Sequence, residues 1–254
     1  MNYFVKKNSI VREIWGKSDT VLFIFAGAAA EFALNKAVDW LYFTGRLPAD
    51  PLGRLFSTVT YARKIIFSEN ESALHIIDSI YNIHKVVENN RKSEIPDWAY
   101  RDVLYMLIYY SISSYEVLER KLSQEEKEDV YEVFSRFGNR MKLKGLQPDY
   151  SQWLVQREID LENNLKKSNY TIDLFKQYKK HLGKIRFFIL IEGQKLVIPE
   201  KVRILLDFKK KSLLSIILPF YKLSRFCKLD GAVKKVLFPN KYEKEIKEID
   251  SSNL

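Results

Sequence analysis

One histidine of this chain lies where a helical pattern predicts an apolar side chain. Ala73, Ile77, Ile80, His84 and Val87 are spaced by four, three, four and three residues, so they share one face of a predicted helix. A neutral imidazole carries one donor and one acceptor, and leaving either unmatched in an apolar setting costs about 1–3 kcal/mol. Two kinds of partner would satisfy it: a backbone carbonyl or hydroxyl, or a metal ion.

A metal held by His84 would have to need few protein ligands. His75 falls on a polar helix face and His181 lies at a predicted helix end before Gly183, so neither is expected to converge on His84. Cys227 is the one cysteine of the chain, so a zinc site of three or four ligands is not expected either. Haem needs a single proximal histidine because the porphyrin supplies four nitrogens, and it is our metal hypothesis.

Polar side chains also interrupt the apolar face of the preceding predicted helix, in the stretch DPLGRLFSTVTYARKII. Arg54, Ser57, Thr58 and Tyr61 are three or four residues apart and share a face. A guanidinium beside hydroxyls can pair with and hydrogen-bond the two propionates of haem, and Arg54 with Thr58, at i and i+4, fits that task. The alternative is a surface ion pair between Arg54 and Asp50 at the helix start, which contributes little energy.

Helices are expected to position both groups. The patterns predict a helix or helix pair over 19–43, a helix from Asp50, one ending near Glu88, a buried one in WAYRDVLYMLIYYSISSYEVLERKL, and one over 124–142 opened by a capping box at Ser123. Asn89 and Asn90 are the predicted stop of the third.

The second half of the chain continues the helical pattern. Helix starts are predicted at Asp149, Thr171 and Pro199, and Gly183 is predicted to end the second of these. IRFFILI, at 185–191, is rich in β-formers but has no alternating partner nearby, so it is interpreted as a helix or an extended connection. The predicted class is all-α, in one globular domain.

Length and composition agree with a single folded unit in a reducing compartment. The 254 residues are 46% hydrophobic, which suits a sizeable core. A lone cysteine excludes an internal disulfide, so we expect a cytoplasmic protein. The first twenty residues lack the unbroken apolar centre of a secretion signal, and the ten-residue run VLFIFAGAAA falls far short of the ~20 residues that span a bilayer.

The net charge of +10 is concentrated near the C-terminus. Residues 201–254 hold thirteen Lys/Arg against six Asp/Glu, which favours a local basic patch over a nucleic-acid groove. The stretch KKKSLLSIILPFYKLSRF sets lysines beside apolar runs. It is either an amphipathic element lying on an anionic membrane surface or a core helix with a solvated basic rim, and Pro219 favours the second reading because it would disturb one long interfacial helix.

Several stretches together resemble the family that contains the rubber oxygenases, or latex-clearing proteins, and the MpaB-type oxygenase of mycophenolic acid biosynthesis. The resemblance begins with DPLGRLFSTVTYA and ALHIIDSIYNIHKVVE, an Asp-Pro-x-x-Arg-Leu-x-x-Thr helix followed by a helix with Ile-His-x-Val. It continues with IPDWAYRDVL, LSQEEKEDVYEVFSRFGNRMKLKGLQPDY, YKKHLG and LVIPEKVRILL. It covers roughly residues 20–225, between an N-terminal arm (1–19) and a basic C-terminal tail (226–254).

The resemblance implies a globin-like helical fold that binds a non-covalent b-type haem. His84 matches the family's proximal iron ligand, and Arg54 with Thr58 matches the pair required in its haem pocket. The implied reaction oxidises or cleaves a carbon–carbon double bond of a lipophilic isoprenoid or unsaturated chain with dioxygen. The remaining alternatives are a non-enzymatic helical module that binds a membrane or an acidic partner, and a haem carrier or sensor.

The chain departs from the family pattern on the distal side of the implied haem. Ser57 stands where rubber oxygenases place a lysine that can cap the iron, and a hydroxyl cannot replace that amine as a strong ligand. FALNKAV lacks the histidine-proline pair found in many members. A distal carboxylate is expected from Glu31 or Asp39, so Ser57, Glu31 and Asp39 are the catalytic candidates.

Overall fold

A computed structural model describes residues 2–45 and 49–226, except for the side chains of Leu52, Leu55, Phe56, Ser224, Arg225 and Phe226. Eleven α-helices lie wholly within these residues, which contain no β-strand, so the predicted all-α single domain is confirmed. The helices are α1 (Ile10–Gly16), α2 (Ser18–Phe32), α3 (Val38–Phe43), α4 (Pro51–Phe67), α5 (Asn70–Arg91), α6 (Asp97–Leu118), α7 (Gln124–Arg140), α8 (Tyr150–Asn164), α9 (Asn169–Val197), α10 (Glu200–Leu205) and α11 (Leu214–Phe226).

Side-chain caps open the helices where the sequence predicts them. The Asp50 carboxylate accepts the Gly53 N–H at 3.1 Å ahead of Pro51, and Asp149 caps α8 through the Gln152 N–H at 2.8 Å. Ser123 and Glu126 form the predicted capping box of α7. Each cap satisfies a backbone N–H that has no partner inside the helix, which is why these residue types mark helix starts.

Two helix ends differ from the sequence prediction. The helix α5 does not stop at the Asn89–Asn90 pair but runs to Arg91 and ends at Lys92, whose φ of 53° is left-handed. Gly183, at φ 74° and ψ 172°, breaks α9 as predicted, but the chain resumes the helix at once, so IRFFILI is helical. A left-handed residue turns the backbone away from the helical path, and glycine does so without strain.

The centre of the fold is the contact between α2 and α6. The ring of Tyr110 on α6 lies directly across Gly27 on α2, where any larger residue would collide with it. One turn further along α2, the Tyr110 hydroxyl donates to Glu31 at 2.8 Å. The absence of a side chain at Gly27 therefore lets the two helices approach closely and places a tyrosine hydroxyl on a buried carboxylate.

The N-terminal residues belong to the same core. Val5, Val11, Ile14 and Trp15 are fully buried, and the Trp15 indole donates to Ser111 on α6 at 3.0 Å. The segment expected as an arm thus folds into the bundle through α1, a helix that the sequence analysis did not predict. The division at residues 20 and 225 and the globin-like arrangement remain predictions.

None of the helices described here is both long enough and apolar enough to cross a membrane. The longest, α9, is interrupted at Gly183 and carries lysines on both sides of that break.

Candidate functional site

His84 lies half-buried on α5, on the stripe that the sequence predicts. Ala73 and Ile77 of that stripe are fully buried in the core, whereas Ile80, His84 and Val87 are partly accessible. The stripe therefore leaves the core as α5 proceeds. The imidazole sits at the point where the stripe emerges, so it has an apolar setting and is partly accessible.

One nitrogen of His84 is held by the helix itself. Nδ1 lies 2.8 Å from the backbone carbonyl of Ile80, one turn earlier. Because a carbonyl only accepts hydrogen bonds, Nδ1 carries the proton of the neutral ring, and Nε2 is left with its lone pair. No hydrogen bond to Nε2 occurs within the part of the chain that the structure describes. A carbonyl bond to Nδ1 that orients an open Nε2 is the usual second-sphere arrangement of a metal-binding histidine.

The predicted polar patch of α4 is a connected group. One Arg54 amine, Nη1, donates to Thr58 Oγ1 at 2.8 Å and to Ser57 Oγ at 3.2 Å. Both hydroxyls donate in turn to the Arg54 carbonyl, at 2.7 Å from Ser57 and 3.2 Å from Thr58. The guanidinium is therefore fixed against the helix with the two hydroxyls beside it, and all three side chains are half-buried. A guanidinium is the side-chain group that pairs best with carboxylates.

The two predicted groups act on each other. The helices α4 and α5 are neighbours in the bundle. Burial lowers the pKa of His84, and the positive charge of Arg54 lowers it further, against the Ile80 hydrogen bond and the charge of Glu88, which raise it. The sum favours the neutral imidazole, the form that can bind a metal ion. The charge of Arg54 therefore reaches His84, although the two residues lie thirty residues apart in sequence.

Tyr100 on α6 packs against the imidazole, and Glu88 on α5 holds Tyr100 by its hydroxyl. The Tyr100 ring lies edge-on to the His84 ring with 5.3 Å between centroids, and its hydroxyl donates to Glu88 Oε1 at 3.1 Å. Although burial raises the pKa of Glu88, hydrogen bonds from Lys85, the Ile95 N–H and Tyr100 lower it below its ordinary value. An ionised Glu88 therefore anchors Tyr100 against His84.

The residues around Nε2 and Arg54 fit a haem group in their chemistry. Nε2 could serve as the one protein ligand that haem needs, and the Arg54 guanidinium could pair with propionate carboxylates. Among the described residues no cluster of three or more histidine, cysteine or acidic side chains could hold a metal ion by itself. A metal whose other ligands come from a macrocycle does not need such a cluster.

Glu31, one of the distal candidates, is fully buried in an ion pair. Its Oε2 accepts Arg157 Nη2 at 2.5 Å and the Tyr110 hydroxyl at 2.8 Å, while Oε1 has no hydrogen-bond partner among the described residues. Burial and the Glu31 charge both raise the pKa of Tyr110. None of these bonds connects Glu31 to His84 or Arg54.

Asp39, the other distal candidate, is paired with a cation of the helix that carries the imidazole. It accepts Arg91 Nη2 at 2.6 Å, and the Arg91 guanidinium stacks 4.0 Å from the Trp40 ring centroid. Arg91 is seven residues after His84 on α5, two turns along the same face. Asp39 therefore lies beside that face of α5, with its carboxylate in an ion pair with Arg91.

Sequence reasoning missed the supporting residues of the site. The Ile80 carbonyl is a backbone atom with no sequence signal. Glu88 has a weak signal, since it lies one turn after His84, whereas Tyr100 has none because its role depends on how α6 returns alongside α5. A surface cleft of about 690 Å³, lined in part by Lys7, Arg12, Phe67, Glu125 and Asp129, contains none of the predicted site residues.

Comparison with known proteins identifies one family. The family model described as "ER-bound oxygenase mpaB/B'/Rubber oxygenase, catalytic domain" matches residues 14–152, more than half of the chain. Neither the curated proteins nor the solved structures yield a match. The matched range includes α4, α5 and α6 and therefore His84, Arg54, Thr58 and Tyr100. The resemblance expected over residues 20–225 is confirmed up to residue 152.

Proposed function

We propose a haem-dependent oxygenase activity for this chain, which belongs to the ER-bound oxygenase mpaB/B′/rubber oxygenase catalytic domain family. The family is one of oxygenase catalytic domains, so the oxidoreductase class follows from membership. Haem b as the cofactor, dioxygen as the oxidant and an isoprenoid or unsaturated chain as the substrate are our proposals. The observation that carries them is the open Nε2 of His84 within the electrostatic reach of Arg54.

In this proposal each side chain has a separate task. His84 binds the iron through Nε2 while the Ile80 carbonyl holds Nδ1–H and fixes the tautomer. Arg54, held in place by Thr58 and Ser57, binds the propionates and orients the group. When bound, haem supplies the activation of dioxygen that no side chain can provide.

The distal side is where this chain would differ from rubber oxygenases. Ser57 is bonded to Arg54 on both its donor and acceptor sides, so it holds the guanidinium in place and does not act as the capping lysine does. Asp39 is half-buried and pairs with Arg91 on the α5 face that bears His84, so it is the better of the two proposed carboxylates to contact substrate. Glu31 is fully buried in its ion pair with Arg157, so it is not placed to contact substrate.

The test uses two hydrocarbons that differ only in their double bonds. Protein expressed with added haem is incubated with squalene or with its saturated counterpart squalane under ¹⁸O₂, and products are analysed by mass spectrometry. We expect ¹⁸O-labelled product from squalene alone, because the proposed reaction needs a carbon–carbon double bond. A protein that binds haem but yields no labelled product from squalene or other unsaturated chains would be a carrier or sensor. A colourless protein would contradict the proposal.

Peripheral membrane contact through the basic tail is a further part of this proposal. A lipophilic substrate partitions into bilayers, and a basic segment brings a protein to their anionic surface. Apart from Phe226, the tail 226–254 lies outside the described residues. The cytoplasmic location expected from the lone cysteine likewise remains a prediction.

A further inference from the structure

The helix α11 presents an apolar face that no other part of the described chain covers. Leu213, Ile216, Ile217, Phe220 and Leu223 are 54–72% exposed. Leu213 lies in the turn just before the helix, and the spacing of three, one, three and three residues places all five along one side. Single exposed apolar residues are ordinary, but five large ones in a continuous stripe mark an interaction surface. The interpretation of this segment as a core helix is therefore wrong.

Hydrogen bonds at both ends fix the orientation of that face. Ser212 Oγ donates to the Glu192 carbonyl at 2.8 Å, and the Leu213 N–H donates to the Glu192 carboxylate at 2.6 Å. Near the other end, the Tyr221 hydroxyl donates to Asp19 Oδ2 at 3.2 Å. The bonds join α11 to α9 and α2, so the helix is attached by one side and its apolar stripe points outward.

The positive charge of the C-terminal part is concentrated at the same place. Residues 201–226 contain seven Lys/Arg and one acidic residue, whereas residues 227–254 contain six Lys and five acidic residues. Lys209, Lys210 and Lys211 lie two residues ahead of α11, are exposed and form no ion pair with any described residue. A nearly neutral tail would not balance these lysines. An anionic surface would.

We propose that the α11 face, residues 213–223, docks on the anionic surface of a lipid bilayer. The apolar stripe enters the boundary between headgroups and acyl chains, and Lys209, Lys210 and Lys211 contact acidic headgroups. At thirteen residues, α11 is long enough to lie in the interface and far too short to span it. This deepens the proposed membrane contact by moving it from the tail to a folded helix, and it does not depend on haem.

The test is sedimentation of the full chain with phosphatidylcholine vesicles that contain or lack phosphatidylserine. We expect binding to the anionic vesicles and at least tenfold weaker binding of the Ile216→Glu/Phe220→Glu variant. Replacing Lys209, Lys210 and Lys211 by glutamine should weaken binding by roughly a hundredfold at low salt, since each lysine near such a surface contributes ~1 kcal/mol.

The matched control is Val155→Glu/Ile159→Glu on α8, another exposed apolar pair one helical turn apart, which should bind vesicles like the wild type. Three results would overturn the proposal. The first is unchanged vesicle binding of the Ile216→Glu/Phe220→Glu variant. The second is loss of binding when only Lys234 and Lys235 of the tail are replaced. The third is a dimer of the wild type, seen by sedimentation velocity, that becomes a monomer in the Ile216→Glu/Phe220→Glu variant. The haem absorbance of the same samples reports independently on the proposed function.

Discussion

The ring of Tyr100 lies edge-on to the ring of His84, with 5.3 Å between their centroids and 72° between their planes. The two residues come from different helices, and Glu88 fastens the tyrosine by its hydroxyl. An edge-on aromatic contact restricts rotation of the imidazole about its side-chain bonds. We therefore interpret Tyr100 as a positioning residue for Nε2.

Two substitutions at Tyr100 should separate its hydroxyl from its ring. Tyr100→Phe removes the bond to the ionised Glu88 and should lower the free energy of unfolding by about 1.5–3 kcal/mol, because hydrogen bonds to charged groups have about that net value. Its haem dissociation rate, measured by transfer to excess apomyoglobin, should stay near that of the wild type. Tyr100→Leu should lose haem severalfold faster. Equal haem dissociation rates in Tyr100→Phe and Tyr100→Leu would show that the Tyr100 ring does not position His84.

Arg54 should determine how tightly haem is held, not whether the protein folds. In a haem titration followed by absorbance, Arg54→Met should raise Kd about tenfold or more, since it removes the donors facing the propionates. Arg54→Lys should recover only part of the loss because an ammonium lacks the planar fork of a guanidinium. Lys64→Met, an exposed cation on the same helix, is the control and should leave Kd unchanged. A similar rise of Kd in Lys64→Met would show that the loss of affinity comes from overall charge and not from Arg54 itself.

The Glu31–Arg157 pair should be a stability element. Arg157→Met leaves a buried carboxylate with only the Tyr110 hydroxyl, and breaking a buried pair in this way costs about 3–5 kcal/mol. Adding Glu31→Gln should restore part of that loss in urea unfolding, because the uncompensated charge is gone. Arg140→Met, which breaks an exposed pair with Asp78, should leave the unfolding midpoint close to the wild type. A double variant no more stable than Arg157→Met would contradict the pair's electrostatic coupling.

Asp102 gives the fold a pH dependence of defined sign. Burial raises the pKa of Asp102 to about 7 from 3.8, although the amides of Asn35 and Asn164 donate to its carboxylate. The folded state therefore holds a proton that the unfolded state releases between about pH 4 and 7, and stability falls as pH rises through that window. Across pH 5 to 8 the wild type should lose up to ~2 kcal/mol relative to Asp102→Asn in urea unfolding. A constant difference between the two proteins would show that Asp102 ionises normally.

Features set by neighbours in sequence were predictable, and those set by distant contacts were not. The caps at Asp50, Ser123 and Asp149 need only residues within one turn, and so does the face that carries His84. The cation that pairs with Glu31 is 126 residues away, and no local pattern could have named it. The outward face of α11 escaped prediction for the same reason, since periodicity locates an apolar stripe without showing whether another helix covers it.

The most direct test of this account compares two histidines on one helix. His75 is exposed on the polar face of α5 and His84 lies on its apolar stripe, so His75→Ala and His84→Ala make the same chemical change in the same element. The measurement is the Soret absorbance per chain after expression with added haem. We predict that the wild type and His75→Ala carry a Soret band and that it collapses in His84→Ala. An undiminished band in His84→Ala, or no band in the wild type, would contradict the central claim.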